Sequence, residues 1–298
     1  MQLALDGRIR FVDTAAPRQA RRIIAGGVLA GAAMWFASVL ALWLAEPHLV
    51  FMTHLSRRHT TPLDPSIFHS ETFVSSGGLR LKSVVLTHDS VRDGYWILFC
   101  PPAGASTRVK RIQDHLKQLW TLGYNVMAFD YRGFGDSPGI PSEDGLYADA
   151  AAAYTHLVGQ QRVPPSRIIL AGRSLGSAVA VDLATRVAAA GLVLFAPIDS
   201  VPQAGARVYP FAPVRWLASH QFDAAAKASA ISVPVVTIFA SRDQYMPLAD
   251  ARALFDRFHG PKLMIEAAGG HHHSGFVHIA ELHRALARFW PTASAKKD

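Results

Sequence analysis

Residues Arg167–Ala184 read RIILAGRSLGSAVAVDLA. An apolar run leads into Gly172-Arg173-Ser174-Leu175-Gly176, which fits G-x-S-x-G, and an alanine-rich segment follows. The five-residue pattern is common by chance. A strand before it and a helix after it are the context that a nucleophile elbow requires. A sharp strand-to-helix turn strains the backbone of the serine, and glycines on either side leave room for it. The Ser174 hydroxyl then projects above the sheet, and the Leu175 N–H, free at the helix start, can stabilise an oxyanion. A structural turn serine is the plainer reading of the same residues.

Working outward, strand-like runs recur as ETFVS, LRLKSVVLTH, YWILFC, YNVMAFDY, RIILAG, GLVLFAP, PVVTIFAS and KLMIEA. Turn glycines separate the first two, which read as a hairpin. From Tyr95 onward most runs are short and apolar, as in strands buried on both faces. Helical segments lie between them. In RVKRIQDHLKQLW, Val109, Ile112, Leu116 and Leu119 share one face. Further helices are expected over 142–161, 176–190, 247–259 and 276–290. This alternation implies an α/β domain with a mainly parallel eight-stranded sheet and helices on both faces. Residues 200–230 break the rhythm and suit a small helical excursion, one wall of a pocket.

A nucleophilic serine needs a base and an acid that orients the base. In this kind of sheet the order is serine, acid, histidine. Asp243, in SRDQYMP, follows one strand, and the run His271-His272-His273 follows the next. Both fall at the carboxyl edge, where sites of open α/β sheets collect. Asp199, in FAPIDS, competes as the acid, whereas Asp250 reads as a helix residue. His271 directly follows Gly269-Gly270 and is the first choice as base, with His272 second and His273 third. Neighbouring histidines in an extended segment point in alternate directions and make poor joint ligands, so no metal is expected. DYRGFGDSPG lacks G-K-[ST] and is no phosphate loop. Arg132, Asp136 and Ser137 read as braces for the site loops. Cys100 ends an apolar strand and reads as a packed core residue.

The N-terminal region carries a second message. Ile23–Ala45 is uncharged and mostly apolar, and about 20 such residues span a bilayer. Signal-peptide cores are shorter, about 7–15 residues, which favours an uncleaved anchor. Arg8, Arg10, Arg18, Arg21 and Arg22 precede the run, against Arg57 and Arg58 after it. The positive-inside rule then places the N-terminus in the cytoplasm and the following domain outside. The expected layout is a cytoplasmic segment over 1–22, a transmembrane helix over 23–45 and a linker over 46–65. A catalytic domain over 66–291 and a tail over 292–298 complete it. The 298 residues carry a net charge of +8, but no clustered basic face points to nucleic acid. One cysteine excludes an intramolecular disulfide.

Residues from about 70 to 290 resemble the α/β-hydrolase superfamily. They are similar in particular to its membrane-anchored, single-span serine hydrolases, whose relatives include acyl-protein thioesterases, lysophospholipases and serine aminopeptidase-like enzymes. NVMAFDYRGFGDSPGIPSEDGLYADAAAAY, GRSLGSAVA, FAPIDS, SRDQYMP and GGHHHSGF carry the resemblance, in the family's order. It implies Ser174 as nucleophile, Asp243 as acid and His271 as base. It also implies hydrolysis of a carboxylic ester or thioester through an acyl-enzyme, without a cofactor, on a small or lipid-linked acyl substrate. The family usually follows its histidine with Asn-Asp, where this chain has His272-His273. The family also has H-G-N-A-G after its third strand, where this chain has Cys100-Pro101-Pro102-Ala103-Gly104. Pro102 falls at the position of the second oxyanion donor and has no N–H. Ala103 supplies the donor if the loop is shifted. The alternatives are a serine peptidase of the same fold and a catalytically impaired, membrane-tethered binding protein.

Overall fold

The computed structural model describes residues 18–58, 60–88, 94–271 and 279–292, with side chains from residue 22 onward. It divides into two compact units, Met1–Leu44 and Ala45–Asp298. The first consists, among the described residues, of the N-terminal part of helix α1 (Arg18–Phe51). Its apolar side chains, Ile23, Leu29 and Phe36 among them, are exposed. Its most apolar stretch has a mean hydropathy of 2.0 and is only 6% buried, unlike a core helix of a soluble domain. By length and composition it can cross a membrane.

The second unit opens with the end of α1 and a single turn, α2 (Thr53–Ser56). An antiparallel hairpin follows, β1 (His69–Val74) and β2 (Arg80–Leu86). Gly77 and Gly78 turn it at φ of 73° and 74°, backbone that glycine adopts without steric cost. Then come β3 (Trp96–Cys100), α3 (Lys110–Thr121), β4 (Asn125–Phe129), α4 (Glu143–Gly159), β5 (Ile168–Arg173), α5 (Leu175–Ala184) and β6 (Gly191–Phe195). The excursion holds α6 (Val201–Val208), α7 (Val214–Leu217) and α8 (Ala224–Lys227). The domain closes with β7 (Val235–Ala240), α9 (Leu248–Asp256), β8 (Lys262–Ala267) and α10 (Ile279–Phe289). The strands form one eight-stranded sheet in the order β1-β2-β4-β3-β5-β6-β7-β8. It is parallel from β4 to β8, and β2 runs antiparallel to both its neighbours.

Strand period sorts the core into two layers. Leu98, Met127, Leu170, Leu192 and Leu194 pack on one face of the sheet with Leu146 and Leu157 of α4 and Val179 of α5. Ile97, Phe99, Val126, Ile169, Val193 and Val236 pack on the other with Ile112, Leu116 and Leu119 of α3 and Leu282 and Leu286 of α10. Successive residues of β3, such as Leu98 and Phe99, thus face opposite layers. Every residue of β3 to β7 is buried, which is why their sequences lack polar alternation.

Three expectations change. The segment expected as helical over 176–190 is helical only over Leu175–Ala184. The Thr185 hydroxyl donates to the Asp182 carbonyl at 2.7 Å where the helix ends. The segment expected over 276–290 is helical over Ile279–Phe289, with 276–278 outside the described residues. More important, 46–65 is not a bare linker. Helix α1 continues to Phe51, and Phe51 and Ser56 are buried. The Glu46 carboxylate accepts from the Ser219 and His220 N–H groups. Phe51 packs edge-on against His220 and Phe222, and its carbonyl accepts the Gly104 N–H at 2.9 Å. Ser106 Oγ donates to the Ser56 carbonyl, the Gly135 N–H donates to Ser56 Oγ, and Arg57 donates to the Gly135 carbonyl. Pro62 and Pro65 lie beyond this packed part.

Phe51→Ala in the full chain is expected to destabilise the domain by about 3–5 kcal/mol, as for other buried aromatic truncations. Arg58→Ala, at an exposed position next to the same segment, is expected to leave stability within about 0.5 kcal/mol. Thermal unfolding in detergent separates the two.

Candidate active site

The β5–α5 turn is built by close backbone approach. A Cβ on Gly172 would overlap the Gly176 carbonyl, and one on Gly176 would overlap the Cys100 and Pro101 carbonyl oxygens. Ser174 sits between them at φ 51°, ψ −121°, a region that costs a non-glycine residue about 1–3 kcal/mol. Its N–H donates to the Phe195 carbonyl at 3.0 Å, and its carbonyl accepts from the Ser177 N–H. The neighbouring strand thereby holds the strained residue in place.

Asp243 follows β7 and His271 follows β8, so both reach the same edge of the sheet as Ser174. His271 Nε2 lies 2.8 Å from Ser174 Oγ, and His271 Nδ1 lies 2.7 Å from Asp243 Oδ2. A carboxylate only accepts, so Nδ1–H donates to Asp243 and Nε2 accepts from the Ser174 hydroxyl. The Asp243 and His271 side chains are 1% and 5% exposed, which leaves little water to compete for these bonds. The other Asp243 oxygen accepts from the Tyr245 and Met246 N–H groups at 2.9 and 3.1 Å. The arrangement can take a proton from Ser174 onto His271 and hold the imidazolium against a fixed carboxylate.

Asp199 does not approach the imidazole in this way. It pairs with Arg207 at 2.7 Å, and Arg207 also holds Asp250 at 2.8 Å. His272 and His273 lie outside the described residues. Leu175 is the first residue of α5, and Ala103 lies in the turn after β3. Among the described residues neither N–H donates to a backbone carbonyl. The next amide, that of Gly104, is taken by Phe51. Burial pushes the Cys100 thiol up to about 12, so it is a protonated core residue and not a thiolate nucleophile.

Ser137 and Arg132 each tie neighbouring segments together. Ser137 Oγ donates to the Asp130 carbonyl and accepts the Lys82 N–H. Arg132 pairs with the buried Asp149 at 2.7 Å and donates to Ser76. Asp136 meets Arg108 at 3.7 Å on the surface. Two further residues were not singled out by sequence reasoning. The Tyr245 ring packs edge-on against the His271 ring at 4.8 Å. Arg207 donates to the Tyr245 carbonyl at 2.8 Å. Tyr245 could have been found from its place two residues after Asp243. Arg207 had no such signal, because it lies in α6 and meets the loop only in the folded chain.

Known proteins share this fold. A family model described as "Serine aminopeptidase, S33" matches residues 98–222. An uncharacterized protein of Mycobacterium tuberculosis is 36% identical over 213 residues, covering 71% of this chain and 75% of the relative. An alpha/beta hydrolase domain-containing protein of Caenorhabditis elegans is 33% identical, covering 59% of this chain and 53% of the relative. Among solved structures, an esterase from Pyrococcus furiosus superposes with a TM-score of 0.64 at 18% identity, covering 78% of this chain and 95% of that one. An alpha-beta hydrolase from Vibrio vulnificus gives 0.68 at 20% identity, covering 81% and 91%. The chain belongs to the α/β-hydrolase superfamily. Hydrolysis is the class of activity that its family match supports.

Two predictions arise from the groups around the site. Burial raises the Asp130 carboxyl from 3.8 to about 7, against hydrogen bonds from Thr107 that lower it. Between those pH values the folded chain holds a proton that the unfolded chain has released. The Asp130 contribution to stability is therefore greatest below about 3.8 and falls as pH rises through about 7. Asp130→Asn is expected to flatten that fall, read as denaturation midpoints on either side of the window. A double-mutant cycle of Asp199→Asn and Arg207→Met is expected to give a coupling of about 1–3 kcal/mol, above that of an exposed ion pair. Midpoints of chemical unfolding provide the four corners.

Proposed function

We propose that this protein is a membrane-anchored serine hydrolase that cleaves a carboxylic ester or thioester. In this reading the Ser174 oxygen attacks the acyl carbon while its proton passes to His271 Nε2, and Asp243 stabilises the imidazolium. The carbonyl oxygen becomes an oxyanion bound by the Leu175 and Ala103 N–H groups. The tetrahedral intermediate expels the alcohol or thiol, which takes the proton from His271, and leaves an acyl group on Ser174. Water, deprotonated by His271, then attacks the acyl-enzyme and releases the carboxylic acid. No cofactor takes part.

The observation that carries this reading is the chain of contacts from the half-buried Ser174 Oγ through the buried His271 to Asp243, at 2.8 and 2.7 Å. The apolar helix α1 supports the anchor. The arginine excess before it supports a domain outside the cytoplasm. A lipid-linked acyl substrate suits an anchored enzyme. The aminopeptidase description of the matching family favours a second reading, a serine peptidase using the same residues. The two differ in leaving group: the peptidase releases amines from aminoacyl or peptide substrates in preference to alcohols or thiols from esters.

A fluorophosphonate probe applied to the membrane fraction tests the reading. Wild type is expected to label and Ser174→Ala to remain unlabelled. Asp243→Asn is expected to lower hydrolysis of a short acyl ester by about 10⁴-fold, as for the corresponding change in a serine protease. Well-folded wild-type protein that neither labels nor cleaves esters, thioesters or peptides would instead identify a tethered binding protein.

A further inference from the structure

A cavity lies apart from the Ser174–His271–Asp243 constellation in its lining. It has a volume of about 460 Å³ and is lined by Ser56, Arg57, Thr60, Arg108, Gly135, Asp136, Ser137 and Pro138. That size falls within the range of small-ligand pockets, about 300–1,000 Å³. None of these side chains takes part in a step of the proposed hydrolysis.

Three segments distant in sequence build the cavity, and each is fixed. Arg57 donates through Nε to the Gly135 carbonyl at 3.1 Å. Ser56 Oγ accepts the Gly135 N–H at 2.9 Å. Thr60 forms an antiparallel bridge with Val109, and the Thr61 N–H donates to the Arg108 carbonyl at 2.7 Å. Gly135 is closely packed, because a Cβ there would collide with Ser106 and the Asp130 carboxyl. The walls are therefore set before any ligand arrives, which lowers the ordering cost of binding.

The donors are in excess of the acceptors. Arg57 and Arg108 bring two guanidinium groups from different segments, and Thr60 adds a hydroxyl. Arg108 Nε is buried and has no hydrogen-bond partner. An unmet buried donor is costly, more so on a charged group. The single lining carboxylate, Asp136, is 66% exposed and stands 3.7 Å from Arg108, so solvent screens most of its attraction. Ser56 and Ser137 already donate their hydroxyl protons to the Thr53 and Asp130 carbonyls. What remains is a pair of guanidinium groups, Arg57 held by the Gly135 and Gly133 carbonyls and Arg108 with its Nε unmet, suited to an oxyanion with several acceptor oxygens.

We propose that this cavity binds a phosphate group, carried by a small soluble phosphate ester or by a lipid headgroup. The chemistry is the same for both sources. Arg57 lies shortly beyond Phe51, where α1 ends, so a chain anchored in a bilayer can meet either one.

The test uses the full chain with Ser174→Ala, so that no turnover interferes and a failed hydrolase assignment leaves the result readable. Inorganic phosphate and glycerol 3-phosphate are titrated in neutral detergent and followed by calorimetry. Saturable binding is expected. Arg108→Gln is expected to weaken it by about tenfold or more, the loss of one charge-assisted contact. Asp136→Asn is expected to strengthen it severalfold by removing the competing carboxylate. Because Asp136 is exposed, that variant tests the proposal even if Arg108→Gln fails to fold. No saturable binding, or binding indifferent to both substitutions, overturns the proposal. Repeating the phosphate titration in phosphatidylcholine nanodiscs with and without phosphatidic acid distinguishes the sources. Suppression by phosphatidic acid assigns the lipid headgroup, and an unchanged isotherm assigns a soluble ester.

Discussion

The structure depends on backbone crowding where β5 turns into α5. Gly172, Gly176 and the Cys100 carbonyl meet so closely that no side chain fits between them. This contact clamps the end of β3 against the start of α5 and forces Ser174 to a positive φ. A serine in relaxed backbone would not stand at the tip of the turn. The strain is sustained by what surrounds it: β6 takes the Ser174 N–H, and α5 buries nearly its whole length in the core. A few kcal/mol of local strain is small beside the apolar burial of a fully covered parallel sheet.

Once that turn is set, the other two members of the constellation depend on loop ends. Asp243 is held by two N–H groups of its own turn, a local device that short polar side chains achieve readily. The turn is in turn held from outside, by Arg207 on the Tyr245 carbonyl. Asp199 and Asp250 complete the coordination of the same guanidinium. Thus the aspartate that competed with Asp243 for the imidazole serves as the counter-ion of a residue that steadies Asp243. Two carboxylates with similar sequence context take different places because only one sits within reach of His271.

The segment Ala45–Arg57 does comparable work on the other side. It joins the end of an apolar helix to three loops of the hydrolase domain through Glu46, Phe51, Ser56 and Arg57. Its hold on Gly104 bears on the departure from the family's H-G-N-A-G pattern. With Pro102 lacking an N–H and the Gly104 N–H committed to Phe51, Ala103 carries the remaining amide of that turn. The Pro-Pro substitution and the Phe51 contact therefore act on the same few residues.

Features that depend on local spacing were legible in the amino-acid order. Glycines flanking Ser174, apolar runs of strand length and the helical face of Ile112, Leu116 and Leu119 each report on neighbours in the chain. So does the uncharged run of α1, whose length and composition suit a membrane. Contacts between partners far apart in the chain emerged with the tertiary structure. It brought Asp243 to His271 and turned Asp199 toward Arg207. It made part of a supposed linker into a packed element, and it enclosed Arg57 and Arg108 around one cavity. The physical reason is the same in each case. Periodicity records which face of an element is apolar, but hydrogen bonds and ion pairs are chosen by distances that exist only after the layers have packed.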